Sequence, residues 1–294
     1  MAIEVRDPRM TQVVDAGAEL EVVGTGFLFT EGPLWHPTEH FLLFSDMPGN
    51  IIRRWDAEGG VRPFREPSEM ANGLTYDRQG RMVACQHATS SVTRTEADGR
   101  IVTLATHYGD KELNSPNDIV VKSDGGVYFT DPTYGRLEFY GVPREPELDF
   151  RGVYRIEPDG ALKLLADDFA QPNGLCFSID ESRLFVNDTE RQHVRVFDVH
   201  PDGTLGADRV FCETTGDEPG APDGMKIDSQ GHLFTCGPGG IHVFSPAGEC
   251  FGVIRMPEIT ANFAWGGADF RTLFITASTS LYSIQLKVPG RPTF

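Results

Sequence analysis

Short runs of alternating apolar and polar residues, separated by turns rich in Asp, Gly, Asn and Pro, recur along nearly the whole chain, whereas the 3.6-residue apolar spacing of an amphipathic helix is hard to find. Four of these runs superimpose: MANGLTYDRQGRMVACQ, SPNDIVVKSDGGVYFTD, QPNGLCFSIDESRLFVND and APDGMKIDSQGHLFTCG. Each holds a polar anchor, a short apolar strand, a turn and a second apolar strand. TEGPLWHPTEHFLLFSD and TANFAWGGADFRTLFIT are weaker copies, which brings the total to six. The anchors Glu31, Asn72, Asn117, Asn173, Asp223 and Asn262 are separated by 41, 45, 56, 50 and 39 residues. That period suits one four-stranded blade per repeat. Further alternating segments follow, such as IIRRWDAEGG, SVTRTEADGR and VRVFDVHPDGTL, in which two strands flank a D-G or similar hairpin turn. The pattern predicts an all-β, six-bladed β-propeller with four-stranded blades, one domain over residues 1-294. Residues 1-26 are expected to form an N-terminal extension whose segment AELEVVGTGF supplies a strand to the last blade and closes the ring.

In such a ring the starts of the innermost strands converge on the axis. The loops after the second strands return to the same face, and among them the longest, PTYGRLEFYGVPREPELDF, is expected to act as a lid. Polar anchors crowded on an axis repel one another if two are carboxylates, and a cation relieves that repulsion. Glu31, Asn117, Asn173 and Asp223 offer two carboxylates and two amide oxygens, an oxygen-only shell suited to Ca²⁺, Mg²⁺ or Mn²⁺. The alternative is that Asn, Asp and Gly at strand starts simply make Asx turns. That explains Asn72-Gly73 well and Glu31 poorly, because Glu is not a favoured turn residue.

Composition narrows the partners. With 43 acidic against 26 basic residues the formal charge is -17, which disfavours nucleic acid and anionic membrane surfaces and leaves small molecules and cations. The five cysteines, Cys85, Cys176, Cys212, Cys236 and Cys250, are scattered and contain no C-x-x-C, so reduced, mostly buried thiols are expected rather than a disulfide framework or a zinc site. The eight histidines show no paired metal spacing, and no P-loop, G-x-G-x-x-G or G-x-S-x-G is present. The first residues lack a basic region followed by an apolar run, and a cytoplasmic location is expected.

FTEGPLW, LNSPNDIVVKSDGGVYFTDPTYG, ELDFRGVYRIEPDG, QPNGLCFS, PDGMKID and ITASTSLYSI, in that order over roughly residues 28 to 285, resemble the SMP-30/gluconolactonase/LRE-like hydrolases, closest to the bacterial gluconolactonase-type branch. The resemblance implies a divalent metal on the axis, most readily Ca²⁺ with Mg²⁺, Mn²⁺ or Zn²⁺ as alternatives. Glu31, Asn173 and Asp223 would hold it, with Asn117 on or beside it. It also implies that Asp223 is the general base of a lactonase opening sugar (aldono-) lactones, with Asn72, Asn117 and Tyr134 positioning substrate hydroxyls. Relatives usually carry Arg where this chain has Glu112, a reversal that argues against an anionic substrate. The rival readings are an organophosphate or fluorophosphate hydrolase using the same metal site, and a non-enzymatic calcium- or ligand-binding propeller. A monomer and a dimer are equally compatible with the sequence.

Overall fold

The computed structural model describes residues 2–294 and has six antiparallel sheets arranged as the blades of a propeller, with a separate small hairpin, His107–Tyr108 and Lys111–Glu112. Counting from the first anchor, the innermost strands are Thr30–His36, Ala71–Tyr76, Ile119–Val121, Pro172–Phe177, Met225–Ile227 and Thr260–Gly266. Each blade then steps outward, blade one for example through Phe41–Asp46, Ile51–Asp56 and Gly60–Arg65. The turns between first and second strands are Asx turns where the sequence has Asp and Gly. Asp77 Oδ1 accepts the amide hydrogens of Gln79 and Arg81, and Asp228 Oδ1 those of Gln230 and His232.

The inner strands do not alternate in burial: all six residues of Phe41–Asp46 and of Ala71–Tyr76 are buried. Each inner sheet is sandwiched between two neighbouring blades, so both of its faces are covered. The apolar core is accordingly six wedges, one per blade junction, rather than one central mass. Leu34, Phe41, Leu43 and Ile52 of blade one pack on Ala71, Leu74, Tyr76 and Met82 of blade two. Tyr128 and Val153 of blade three pack on Leu175, Leu184 and Val186 of blade four.

The ring closes as the sequence suggests. Glu21–Thr25 pairs antiparallel with Ser280–Gln285 and becomes the outermost strand of blade six. A second N-terminal strand, Ile3–Val5, was not foreseen. It adds to Cys250–Arg255, making blade five five-stranded, and the single-turn helix Met10–Val13 buries Met10 and Val13 in the wedge between blades five and six. Three residues are too few to show a period of two. All five cysteines are unpaired, four of them buried. No helix among the described residues is long and apolar enough to cross a membrane.

A shared device presents the anchors. At the ends of three second strands a buried aspartate turns back to grip the chain entering its own blade. Asp46 Oδ1 accepts from Leu28 N at 2.9 Å. Asp131 accepts from Asn114 N and Ser115 N at 2.8 and 2.7 Å, and Asp188 from Ala170 N and Gln171 N at 2.8 and 3.1 Å. Beside the anchors of blades one, two, four and six the pairing register slips, between Glu31 and Leu34, Ala71 and Leu74, Pro172 and Leu175, and Thr260 and Asn262. A bulge at that point re-aims the anchor side chain.

The glycines after four anchors have a role other than turning. A Cβ on Gly32 would lie 2.0 Å from Asn72 O, on Gly73 2.4 Å from Asn117 O, on Gly174 2.2 Å from Asp223 O, and on Gly224 2.2 Å from the Asn262 side chain. Each is pressed against the anchor of the next blade, and Gly73 N donates to Asn117 O at 2.8 Å. The Asx-turn reading of Asn72-Gly73 is therefore wrong: the pair lies inside a buried strand, and glycine is required by the close approach of two blades.

Candidate active site

Five of the six anchors line one cavity at the axial mouth: Glu31, Asn72, Asn117, Asn173 and Asp223. Its volume is about 160 Å³, a small pocket at the mouth of the channel. Met47, His87, Tyr134, Tyr140 and Thr189 complete the wall from the loops after the second strands of blades one to four, and Phe29 adds an apolar edge. The corresponding turn of blade five, Cys236 to Gly239, instead packs on Pro219 and Gly220. The sixth anchor, Asn262, does not face the cavity. Its Nδ2 donates to Glu31 Oε2 at 3.2 Å and its Oδ1 accepts from Phe263 N at 2.9 Å, so it holds Glu31 in place.

Electrostatics mark this cavity out. Burial pushes the Glu31 carboxyl up to about 7, with the negative charge of Asp118 adding to the effect and the Gly32 N–H opposing it. Asp223 is raised well above the usual carboxylate range by burial first, then by the charges of Glu31 and Asp118. Among the described residues no Lys or Arg lines the cavity to offset the pair. A slightly larger hollow of about 200 Å³ at the other end of the channel is lined by residues that include Leu34, Trp35, Tyr76, Phe177 and Trp265, and is bordered by Arg291 to Thr293. It has Lys226, Arg78 and Glu181, and no facing pair of acids.

The donor set fits a hard divalent ion. Thr189 Oγ1 gives its only hydrogen to Pro222 O at 2.7 Å and so must accept the one that Asn173 Nδ2 offers at 3.2 Å. That leaves Asn173 Oδ1 free toward the cavity. Glu31 Oε2 accepts from Gly32 N at 2.7 Å and from Asn262, and the Glu31 carboxyl also lies against that of Asp223. Among the described residues no group of three His, Cys, Asp or Glu side chains could hold a metal, so an ion here would depend on the Asn oxygens as much as on the two carboxylates.

The blade-three insertion covers the same mouth. Tyr134, in the 3₁₀ turn Tyr134–Arg136, faces Thr189 and Asp223, and burial raises its phenol. Phe29 and Tyr140 meet edge to face at 5.2 Å. Arg136 is buried and staples the insertion down, donating to Asn114 O, Leu113 O, Glu145 O and Glu112 Oε2 at 2.8, 2.6, 2.7 and 2.9 Å. Arg144 Nε also donates to Glu112 Oε2, at 3.0 Å. Glu112 thus points away from the cavity into two guanidinium groups. Its charge is neutralised there and carries no information about the substrate, which corrects the inference drawn from its departure from Arg.

Sequence reasoning placed the segments Gln86 to Thr89, Asp131 to Phe150 and Asp188 to His193 on the anchor face without singling out His87, Tyr140 or Thr189, and it missed Asp118. Asp118, buried with Oδ2 unpartnered, stands where four other blades have glycine, and that break in the repeat was the available signal.

A family described as the SMP-30/Gluconolactonase/LRE-like region matches residues 29–279. A gluconolactonase of Zymomonas mobilis is 34% identical over 96% of this chain and 85% of its own length. A pentonolactonase of Haloferax volcanii is 26% identical over 93% of this chain and 96% of its own. Among solved structures, a gluconolactonase from Xanthomonas campestris superimposes with a TM-score of 0.89 and 33% identity, covering 97% of this chain and 94% of that one.

Proposed function

The chain belongs to the SMP-30/gluconolactonase/LRE-like family, and we propose that its axial cavity opens uncharged sugar lactones with the help of one divalent cation. The protein is a lactonase, the activity its gluconolactonase and pentonolactonase relatives are named for. The observation that carries the finer reading is the buried Glu31 and Asp223 pair, facing amide oxygens in a cavity without a cationic side chain.

A cation bound by Glu31, Asn173 and Asp223, with Asn117 on or beside it, supplies polarisation of a carbonyl oxygen and acidification of water. Asp223 is the general base: its carboxylate takes a proton from the attacking water and returns it to the ring oxygen as the C–O bond breaks. Atoms balance as lactone plus water giving hydroxy acid. Asn72 and Asn117 hold substrate hydroxyls, and Phe29 with Tyr140 forms an apolar side that excludes bulk water. The absence of Lys and Arg from the wall supports an uncharged ring over a phosphorylated or sulfonated one. Calcium suits a shell with two amide oxygens best, and Mg²⁺, Mn²⁺ and Zn²⁺ are the alternatives.

The test is a substrate panel. D-glucono-1,5-lactone and pentonolactones are expected to turn over at least about 100-fold more efficiently than their 6-phosphate or 5-phosphate counterparts, the scale of a lost charge clamp. Preference for phosphotriesters over every lactone would reverse the reading. Tyr134 is expected to lie against a sugar face. Tyr134→Ala should lower kcat/KM for lactones by about 10-fold or more without changing the affinity for the cation. A purely structural Tyr134 shows instead a lower melting temperature with unchanged kinetics.

A further inference from the structure

We infer that His87 is a positioning residue that fixes the amide of Asn72 with its carbonyl oxygen toward the cavity, so that this position selects a substrate hydroxyl as hydrogen-bond donor. His87 belongs to no metal spacing and is a fully buried part of the cavity wall. Its two ring nitrogens face different partners. Nδ1 lies 2.8 Å from Tyr140 O, and a peptide carbonyl can only accept, so Nδ1 carries the hydrogen. In the neutral ring Nε2 then has only a lone pair. It lies 3.2 Å from Asn72 Nδ2, which must donate to it. The opposite amide orientation would require a hydrogen on Nε2, and in a neutral ring that strips Tyr140 O of its donor. Burial depresses the ring to about 4, which keeps the imidazole neutral at ordinary pH.

The consequence falls on the cavity side. Asn72 lines the cavity, its backbone oxygen is taken by Ser45 Oγ at 2.8 Å, and among the described residues no group donates to its Oδ1. An amide acceptor left to the cavity favours a ligand that brings a donor and disfavours the analogue that lacks it. The device also links recognition to the blade-three insertion, because Tyr140 belongs to it. The insertion backbone is flush against the ring: a Cβ on Gly135 would lie 2.6 Å from His87 Cγ. Arg144 Nη2 reaches His87 O at 3.4 Å from the same segment.

This inference rests on the sugar-lactone reading of the cavity for its ligand, but not for its chemistry. The first readout is the ¹⁵N spectrum of the His87 ring between about pH 6 and 8, where the histidine charge change ordinarily falls. The Nδ1–H tautomer is expected, and an Nε2–H tautomer or an imidazolium overturns the inference whatever the enzyme hydrolyses. The second is a double-mutant cycle of His87→Asn and Asn72→Ala on D-glucono-1,5-lactone and its single-deoxy analogues. Asn at position 87 keeps a donor for Tyr140 O and removes the acceptor for Asn72.

The wild type should favour the parent lactone over one deoxy analogue by about 10-fold or more, and each single variant should erase most of that preference through KM, with kcat within about 2-fold. The double variant should be no worse than Asn72→Ala. Additive losses with the preference intact would mean that His87 only packs the wall. If the Nδ1–H tautomer is present and the wild type discriminates among no lactones, the amide orientation stands and the sugar-lactone ligand falls.

Discussion

Asp223→Ala should lower kcat/KM for lactone hydrolysis by about 1,000-fold or more, the loss expected when a general base and a cation ligand go together, while the propeller stays folded. The fold should survive because stability resides in six apolar wedges between blades, none of which includes Asp223. The metal-free protein should go further and gain stability at alkaline pH from Asp223→Asn, which removes a charge without opening a cavity. The sign follows from the direction of the shifts. Glu31 and Asp223 ionise less readily folded than unfolded, so their contribution is full below the ordinary carboxylate range and is lost as pH rises through their folded values. For Glu31 that value is about 7. Thermal melts of cation-free wild type should therefore fall between about pH 5 and 8, and less so in Asp223→Asn. Undiminished turnover by Asp223→Ala would remove Asp223 from the chemistry.

Gly32→Ala should damage both fold and activity, although it adds one methyl group far from any turn. Gly32 has φ +52°, a left-handed conformation, and its Cβ would sit 2.0 Å from Asn72 O in the next blade. The conformation costs roughly 1 kcal/mol for a residue with a side chain, and forcing two backbones apart about 2 kcal/mol more. A loss near 3 kcal/mol lowers Tm by about 6–12 °C in a chain of this size. Because the shift acts between Glu31 and Asn72, kcat/KM should fall by about 100-fold as well. Gly26→Ala is the control: φ is +90°, but nothing lies within 4 Å of its Cβ, so only the conformational cost applies and activity is kept. Equal melting temperatures for the two variants would show that blade contact does not constrain Gly32.

These glycines also show how far the sequence could be read. The repeat of anchors at 39- to 56-residue intervals disclosed six blades, because every blade must present the same kind of residue at the axis, and the segment around Glu21–Thr25 was legible as the closing strand. The E-G, N-G, N-G and D-G pairs were legible as a pattern, but their cause was not. A two-residue motif looks the same whether glycine serves a turn or the backbone of a neighbouring sheet, and only the ring brings Gly73 to Asn117. Glu112 failed for a related reason: its two arginine partners lie 24 and 32 residues away, in an insertion whose path no local pattern fixes. His87 was invisible because its role depends on one carbonyl of that same insertion.

The central claim is that Glu31, Asn173 and Asp223 hold a divalent cation with which the cavity opens sugar lactones. It is tested most directly by stripping the protein of metal and titrating back Ca²⁺, Mg²⁺, Mn²⁺ or Zn²⁺ singly, while following acid release from D-glucono-1,5-lactone with a pH indicator. Activity should vanish in the stripped, still folded protein and return at one equivalent of ion per chain, with no return in Glu31→Gln or Asp223→Ala. Full lactone hydrolysis by the stripped protein, or equal restoration in those variants, would contradict it.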